Sequence, residues 1–131
     1  MNIIGIGTDL CECERIAGMI ERHGASFLEK VFTPTEIGYC SMHRAQEQHF
    51  TGRWAAKEAI LKALGTGWSR GIHWTDLEVV NEAGGEPRVI LRNRAAEVAA
   101  ELGIDKVLIS ISHTAGQAIA FAVATGVPRA D

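Results

Sequence analysis

The stretch from Arg53 to Gly67 constrains this chain more than any other. Alanine, leucine, lysine and glutamate dominate it, and nothing breaks the run before Gly65. It therefore predicts a helix followed by a glycine-rich exit. At about 100° per residue, Phe50, Trp54, Leu61 and Leu64 fall on one face. Lys57 lies inside that apolar arc, Glu58 at its edge beside Trp54, and Lys62 one turn later. Burying a charge without a partner is costly, so these groups need a reason. One is an ordinary Glu58–Lys62 pair at i,i+4 spacing. The other is a site that holds a divalent metal and phosphates together.

The length of 131 residues suits one domain, residues 1–131, with one core. Apolar residues at 47% against 22% charged predict a soluble globule. No apolar run approaches the roughly 18 residues of a membrane span, and Met1 to Gly5 lacks the basic start of a signal peptide. The expectation is a cytoplasmic protein with no membrane partner. A net charge of −3 argues against a nucleic-acid partner. Three cysteines, Cys11, Cys13 and Cys40, fit neither a zinc knuckle nor a disulfide set, and read as free thiols in the core.

Along the chain, Ile3 to Ile6 reads as a short buried strand, with Gly5 and Gly7 letting the backbone pass close to a neighbour. Asp9 and Glu12 match a capping box, so a helix is expected from Leu10 to His23. Leu10, Cys13, Ile16, Ala17 and Ile20 form its apolar stripe. Arg15, Met19 and Arg22 share another face, which is either solvated or suited to an acidic helical partner. A short helix from Ser26 to Phe32 precedes Thr33-Pro34-Thr35-Glu36, a second capping box.

After the central helix, the loop Gly65 to Gly71 has three glycines that let backbone amides approach an anion. Leu77 to Asn81 and Arg88 to Leu91 form a hairpin. Asn93 caps a helix ending at Leu102. Val107 to Ile111 and Gln117 to Ala124 are strands, with Ser112-His113-Thr114 in the turn between them. Residues 126–131 read as a frayed tail. The order predicts an α+β fold, a single small domain with an antiparallel sheet packed on a long central helix.

Three separated pieces carry chemistry. They are Asp9 near the first strand, Lys57, Glu58 and Lys62 on the long helix, and Ser112 with His113 late in the chain. Two lone carboxylates suit magnesium, which fills its shell with water and substrate phosphates. Lysines beside such a metal favour a pyrophosphate ligand. Each residue also has a structural explanation: a cap for Asp9, a turn bond for His113, packing for Trp54.

Four motifs occur in order. They are Gly5-Ile6-Gly7-Thr8-Asp9-Leu10 with Glu14-Arg15-Ile16; Phe32-Thr33-Pro34 with Glu36; Arg53-Trp54-Ala55-Ala56-Lys57-Glu58-Ala59 with Lys62-Ala63; and Ser110-Ile111-Ser112-His113-Thr114. Together they resemble the holo-[acyl-carrier-protein] synthase family of the 4'-phosphopantetheinyl transferase superfamily, from Ile3 to Ala124. Cysteines at 11 and 13 stand where that family more often has valine or isoleucine, and Trp54 replaces its usual phenylalanine.

The resemblance implies a magnesium-dependent enzyme of fatty acid biosynthesis. It would move the phosphopantetheine arm of coenzyme A onto a serine of apo-acyl carrier protein, releasing adenosine 3',5'-bisphosphate. Asp9 and Glu58 would match the magnesium ligands. Arg53, Lys57, Lys62, Gly65, Ser112 and His113 would lie near coenzyme A, and Glu58, Lys62 and His113 would serve catalysis. The general base stays open between Glu58, acting through a water, and His113. Arg15 would meet the carrier, with Met19 and Arg22 extending that face. The family also implies a homotrimer with sites shared between subunits.

Overall fold

In the computed structural model, which describes residues 1–129, a long helix lies across one face of a three-stranded sheet. The elements in order are β1 (Asn2–Glu12), α1 (Cys13–His23), α2 (Ala25–Val31), α3 (Pro34–Ser41), α4 (Gln46–Leu64), β2 (Leu77–Asn81), β3 (Pro87–Leu91), α5 (Asn93–Leu102), β4 (Ile104–His113) and β5 (Gln117–Gly126). The main sheet is antiparallel in the order β1-β5-β4, and β2 pairs with β3 in a separate hairpin. The α+β reading holds, with α4 at its centre.

Glycine and alanine set how closely α4 approaches the sheet. A Cβ on Gly5 would stand 1.9 Å from the Ala63 carbonyl oxygen, and one on Gly7 would stand 2.0 Å from that of Ala59. No side chain fits there, so β1 lies directly against the helix backbone. On β5 the residues facing α4 are Ala118, Ala120, Ala122 and Ala124, all buried. The helix contributes Ala55, Ala56, Ala59 and Ala63 to the same layer. Ile60, Leu61, Leu64 and Phe50 complete a close-packed core around it.

From Phe50 to Leu64, α4 is enclosed on nearly every side. Trp54 and Glu58 are half-buried and Lys62 alone is exposed. These three recur at i, i+4 and i+8, so they form the single strip of the helix that reaches solvent. Phe50, Leu61 and Leu64 are buried as expected, and Trp54 is only partly so.

Several boundaries depart from the sequence reading. β1 does not stop at Ile6 but continues to Glu12, because its backbone pairs with β5 throughout, Asp9 opposite Ala120 and Glu12 opposite Gln117. Asp9 is therefore a strand residue, not a cap, and α1 starts at Cys13 without any side-chain cap bond. Ile3, Ile6 and Leu10, expected inside, are 68%, 70% and 60% exposed, because they lie on the sheet face away from α4. α4 begins at Gln46, in a polar stretch with no apolar period of its own. Asn93 takes a positive φ of 51° and donates to Asp76, and the cap position belongs to Arg92.

The Thr33–Glu36 capping box is present as read. Residues 126–131 do not all form a tail. Gly126 ends β5, the Val127 amide donates to the Gly103 carbonyl at 3.0 Å, and residues 130–131 lie outside the described residues. No helix is long and apolar enough to cross a membrane among the described residues.

Candidate active site

The open strip of α4 meets the end of β1 at one corner. Lys62 Nζ donates to the Thr8 carbonyl at 2.7 Å and pairs with Asp9 Oδ1 at 3.4 Å. The helical partner expected for Lys62 was Glu58, but Lys62 reaches across to the strand instead. Asp9 can stand there because Gly5 and Gly7 draw β1 against α4.

Glu58 shares this corner. Its carboxyl is pushed above the usual carboxylate range, first by burial and then by the negative charge of Asp9. A hydrogen bond from Trp68 and the charges of Lys62 and Arg15 oppose that shift. A buried carboxyl beside a second carboxylate is a place where a cation lowers the energy. Among the described residues, no group of three or more His, Cys, Asp or Glu forms a metal cage. A two-carboxylate corner suits magnesium, which takes one or two protein oxygens and keeps water and phosphate for the rest.

Trp68 was not singled out in the sequence. It extends from the glycine-rich exit and packs against Trp74 at a tilt of 40°, with ring centroids 4.1 Å apart, and Trp74 stacks on Trp54 at 4.3 Å. Gly65, expected near coenzyme A, closes α4 as a left-handed C-cap with φ 76° and is exposed beside this corner's helix end. On α1, Arg15 is exposed, with Cζ 5.3 Å from the Trp54 ring. Arg22 is exposed and donates to Met19 Sδ at 3.4 Å. Met19 is partly buried against the core, so the face is two arginines with a half-covered methionine between.

The other expected site residues are elsewhere. Lys57 is fully enclosed. Its ammonium group gives its three protons to Glu36 Oε1 at 2.7 Å, the Val31 carbonyl at 2.7 Å and the Trp74 carbonyl at 3.1 Å. No donor remains for a phosphate, so the coenzyme A role expected for Lys57 is corrected to a structural one. Glu36 accepts in addition from the Thr33 and Val79 amides. Burial lowers the Lys57 pKa, and Glu36 counters it.

Arg53 is buried, bonds Asn81 Oδ1 and lies 4.6 Å over the Tyr39 ring. With His49 and His113 it lines a cavity of about 130 Å³, and its Nε has no partner among the described residues. His113 Nδ1 lies 3.1 Å from Gln48 Oε1. Gln48 and Glu58 are ten residues apart on α4, a rise of about 15 Å. One copy of the chain therefore holds two clusters, the Asp9–Glu58–Lys62 corner and the Arg53–His113 cavity, and does not join them.

Ser112 and His113 are the last residues of β4 rather than a turn, and successive strand residues point to opposite faces. His113 faces the α4 side. Ser112, opposite Ile119, is on the outer face. That face is apolar for its size. Ile6, Leu10, Leu108 and Phe121 are 70%, 60%, 47% and 52% exposed, with Ile119 and Val123 partly so. The three cysteines are free and buried, as expected.

Comparison with known proteins bears on this arrangement. Residues 5–122 match the model of the 4'-phosphopantetheinyl transferase superfamily. The holo-[acyl-carrier-protein] synthase of Desulforudis audaxviator is 49% identical over 124 residues, covering 95% of this chain and 94% of that protein. A crystal structure of the holo-[acyl-carrier-protein] synthase from Neisseria meningitidis superposes with a TM-score of 0.87 at 30% identity, over 95% of this chain and 99% of that one. The Helicobacter pylori synthase, solved in complex with coenzyme A, gives a TM-score of 0.81 at 31% identity over 92% and 99%. The match begins at Gly5, takes in both glycines that seat β1 on α4 and all three residues of the carboxylate corner, and spans nearly the whole chain: it belongs to the 4'-phosphopantetheinyl transferase superfamily.

Proposed function

We propose that this chain is a holo-[acyl-carrier-protein] synthase that moves the 4'-phosphopantetheine arm of coenzyme A onto a serine of apo-acyl carrier protein, releasing adenosine 3',5'-bisphosphate. The observation that carries the reading is the Asp9–Glu58–Lys62 corner on the one open strip of α4. Asp9 and Glu58 would hold magnesium, which supplies positive charge to the pyrophosphate when bound. Lys62, half exposed and anchored on Thr8, presents its ammonium where the leaving bisphosphate gains charge. Glu58, acting through a water, would take the serine proton. The rival base, His113, belongs to the other cluster.

Arg53 and His113 would receive the adenosine bisphosphate end of coenzyme A. The unpartnered Arg53 Nε beside their cavity supports this. Because the two clusters stand apart in one chain, we place the full site between copies in a homotrimer. The exposed apolar face of Ile6, Leu10, Leu108 and Phe121 supplies surface for such an assembly. Arg15 and Arg22 face the acidic carrier, with Met19 between them. Free buried thiols fit a reducing cytoplasm, and a holo-carrier product would serve fatty acid biosynthesis.

The test is chromatographic detection of adenosine 3',5'-bisphosphate after incubation with coenzyme A and magnesium, with and without apo-carrier. Release only with carrier supports transfer. Release without carrier would make the chain a pyrophosphate hydrolase. No release, with coenzyme A still bound, would make it an inactive carrier-binding module.

A further inference from the structure

Three imidazoles stand side by side at the N-terminal end of α4. His49 stacks on His43, with centroids 3.8 Å apart and 18° between the planes. His113 meets His49 edge-on at 5.0 Å. Tyr39 meets His43 and His49 edge-on at 4.7 and 5.8 Å. His49, Arg53 and His113 line the same cavity. Two nitrogens in the cluster, His43 Nε2 and Arg53 Nε, are buried without a hydrogen-bond partner among the described residues. Unsatisfied buried polar atoms are rare and call for a ligand or a strain to explain them.

The charges facing His49 are almost all positive or potentially so. His43 comes from the α3–α4 connection, Arg53 from α4 and His113 from β4, with neutral Tyr39 on α3. Glu47 is the one acid, and its influence is the smallest. Burial first, then His43, His113 and Arg53, hold the His49 ring down to about 4, so it is neutral at pH 7 in the free protein. The field that keeps it neutral reverses when a phosphate enters the cavity. An anion beside an imidazole favours the charged ring, and the ring nitrogen then becomes a second donor.

We propose that this cluster is a proton-linked phosphate grip, in which the phosphate end of adenosine 3',5'-bisphosphate enters the cavity and His49 takes up a proton from solvent as it binds. The proposal deepens the transfer reading and rests on it for the identity of the ligand. No covalent bond is made or broken. His49 is then a binding residue beside Arg53 and His113, and the grip loosens as pH rises.

Isothermal titration calorimetry with adenosine 3',5'-bisphosphate tests this at about pH 6.5, in two buffers of different ionisation heat. The comparison is the whole chain against His49→Phe, which keeps the stacked ring and removes the titrating group. The phosphate has its own second pKa near 6, and it contributes to both proteins alike. The expected result is up to one more proton taken up by the unaltered protein than by the variant. Its affinity should also fall with pH more steeply, by up to about tenfold per unit. Equal proton uptake in the two, with binding intact, would overturn the proposal and leave the transfer reading standing. Absence of bisphosphate binding in the unaltered protein would overturn both. Nuclear magnetic resonance of the His49 ring in the unaltered protein gives a readout independent of the variant: a ring that stays neutral on saturation overturns the grip.

Discussion

Lys57 Nζ lies 2.7 Å from Glu36 Oε1, and neither side chain exposes any surface. The pair ties α4 to the start of α3, and Glu36 carries the tie on to β2 through the Val79 amide. Lys57 directly precedes Glu58, so the pair fixes the turn of helix that carries the carboxylate corner. Removing one partner leaves an uncompensated buried charge. Lys57→Met should cost about 3–5 kcal/mol, read from urea unfolding. A loss under about 1 kcal/mol would mean that the ion pair does not anchor the helix.

Glu78 gives a pH signature to the same region. Burial alone would raise its carboxyl, but hydrogen bonds from Thr33 and Arg92 outweigh it and hold it below the usual range. A carboxylate held low in the folded state adds stability above its unfolded pKa of about 4.3. That contribution is lost as pH falls through the folded value. The stability gap between the unaltered protein and Glu78→Gln should therefore be full at pH 7 and shrink below about pH 4. A gap that stays constant with pH would contradict this.

What was legible in the sequence was local. The Thr33–Glu36 box needs only residues three apart, and both its bonds formed. The same pattern at Asp9 and Glu12 failed, because pairing with β5 claimed that backbone for a strand. Propensity yields where a long ladder is available. Gly5 and Gly7 announced a close approach, and only the fold says that α4 makes it. Asp9, Glu58 and Lys62 were singled out by their types and the family resemblance, and the fold brings them to one corner. Lys57 was misplaced because helical phase shows which face is apolar but not how completely a neighbour covers it. The His43–His49–His113 cluster joins α4 and its approach to β4, and no periodicity carries such a contact.

The α1 face is expected to steer the carrier. Arg15 and Arg22 are exposed, and Arg15 rests over Trp54 near the corner. Arg15→Glu should raise the carrier KM by about tenfold at low salt and leave coenzyme A binding unchanged. The difference should shrink as salt screens the contact. Unchanged carrier KM at low salt would remove this docking face.

If sites form between copies, two dead chains should rescue each other. Glu58→Ala loses the carboxylate corner and His113→Ala loses the cavity, and each alone should be inactive. Randomly mixed subunits would rebuild intact sites at about a quarter of the positions. Calibrated activity near that fraction after co-expression supports shared sites. No recovery in folded mixed assemblies would confine each site to one chain.

The most direct test is intact-mass spectrometry of apo-acyl carrier protein incubated with this protein, coenzyme A and magnesium, with and without a chelator. The expected result is a gain of one phosphopantetheine, about 340 Da, on the carrier, abolished by the chelator. A carrier that keeps its apo mass, across several carriers and with coenzyme A bound to the protein, would contradict the transferase reading.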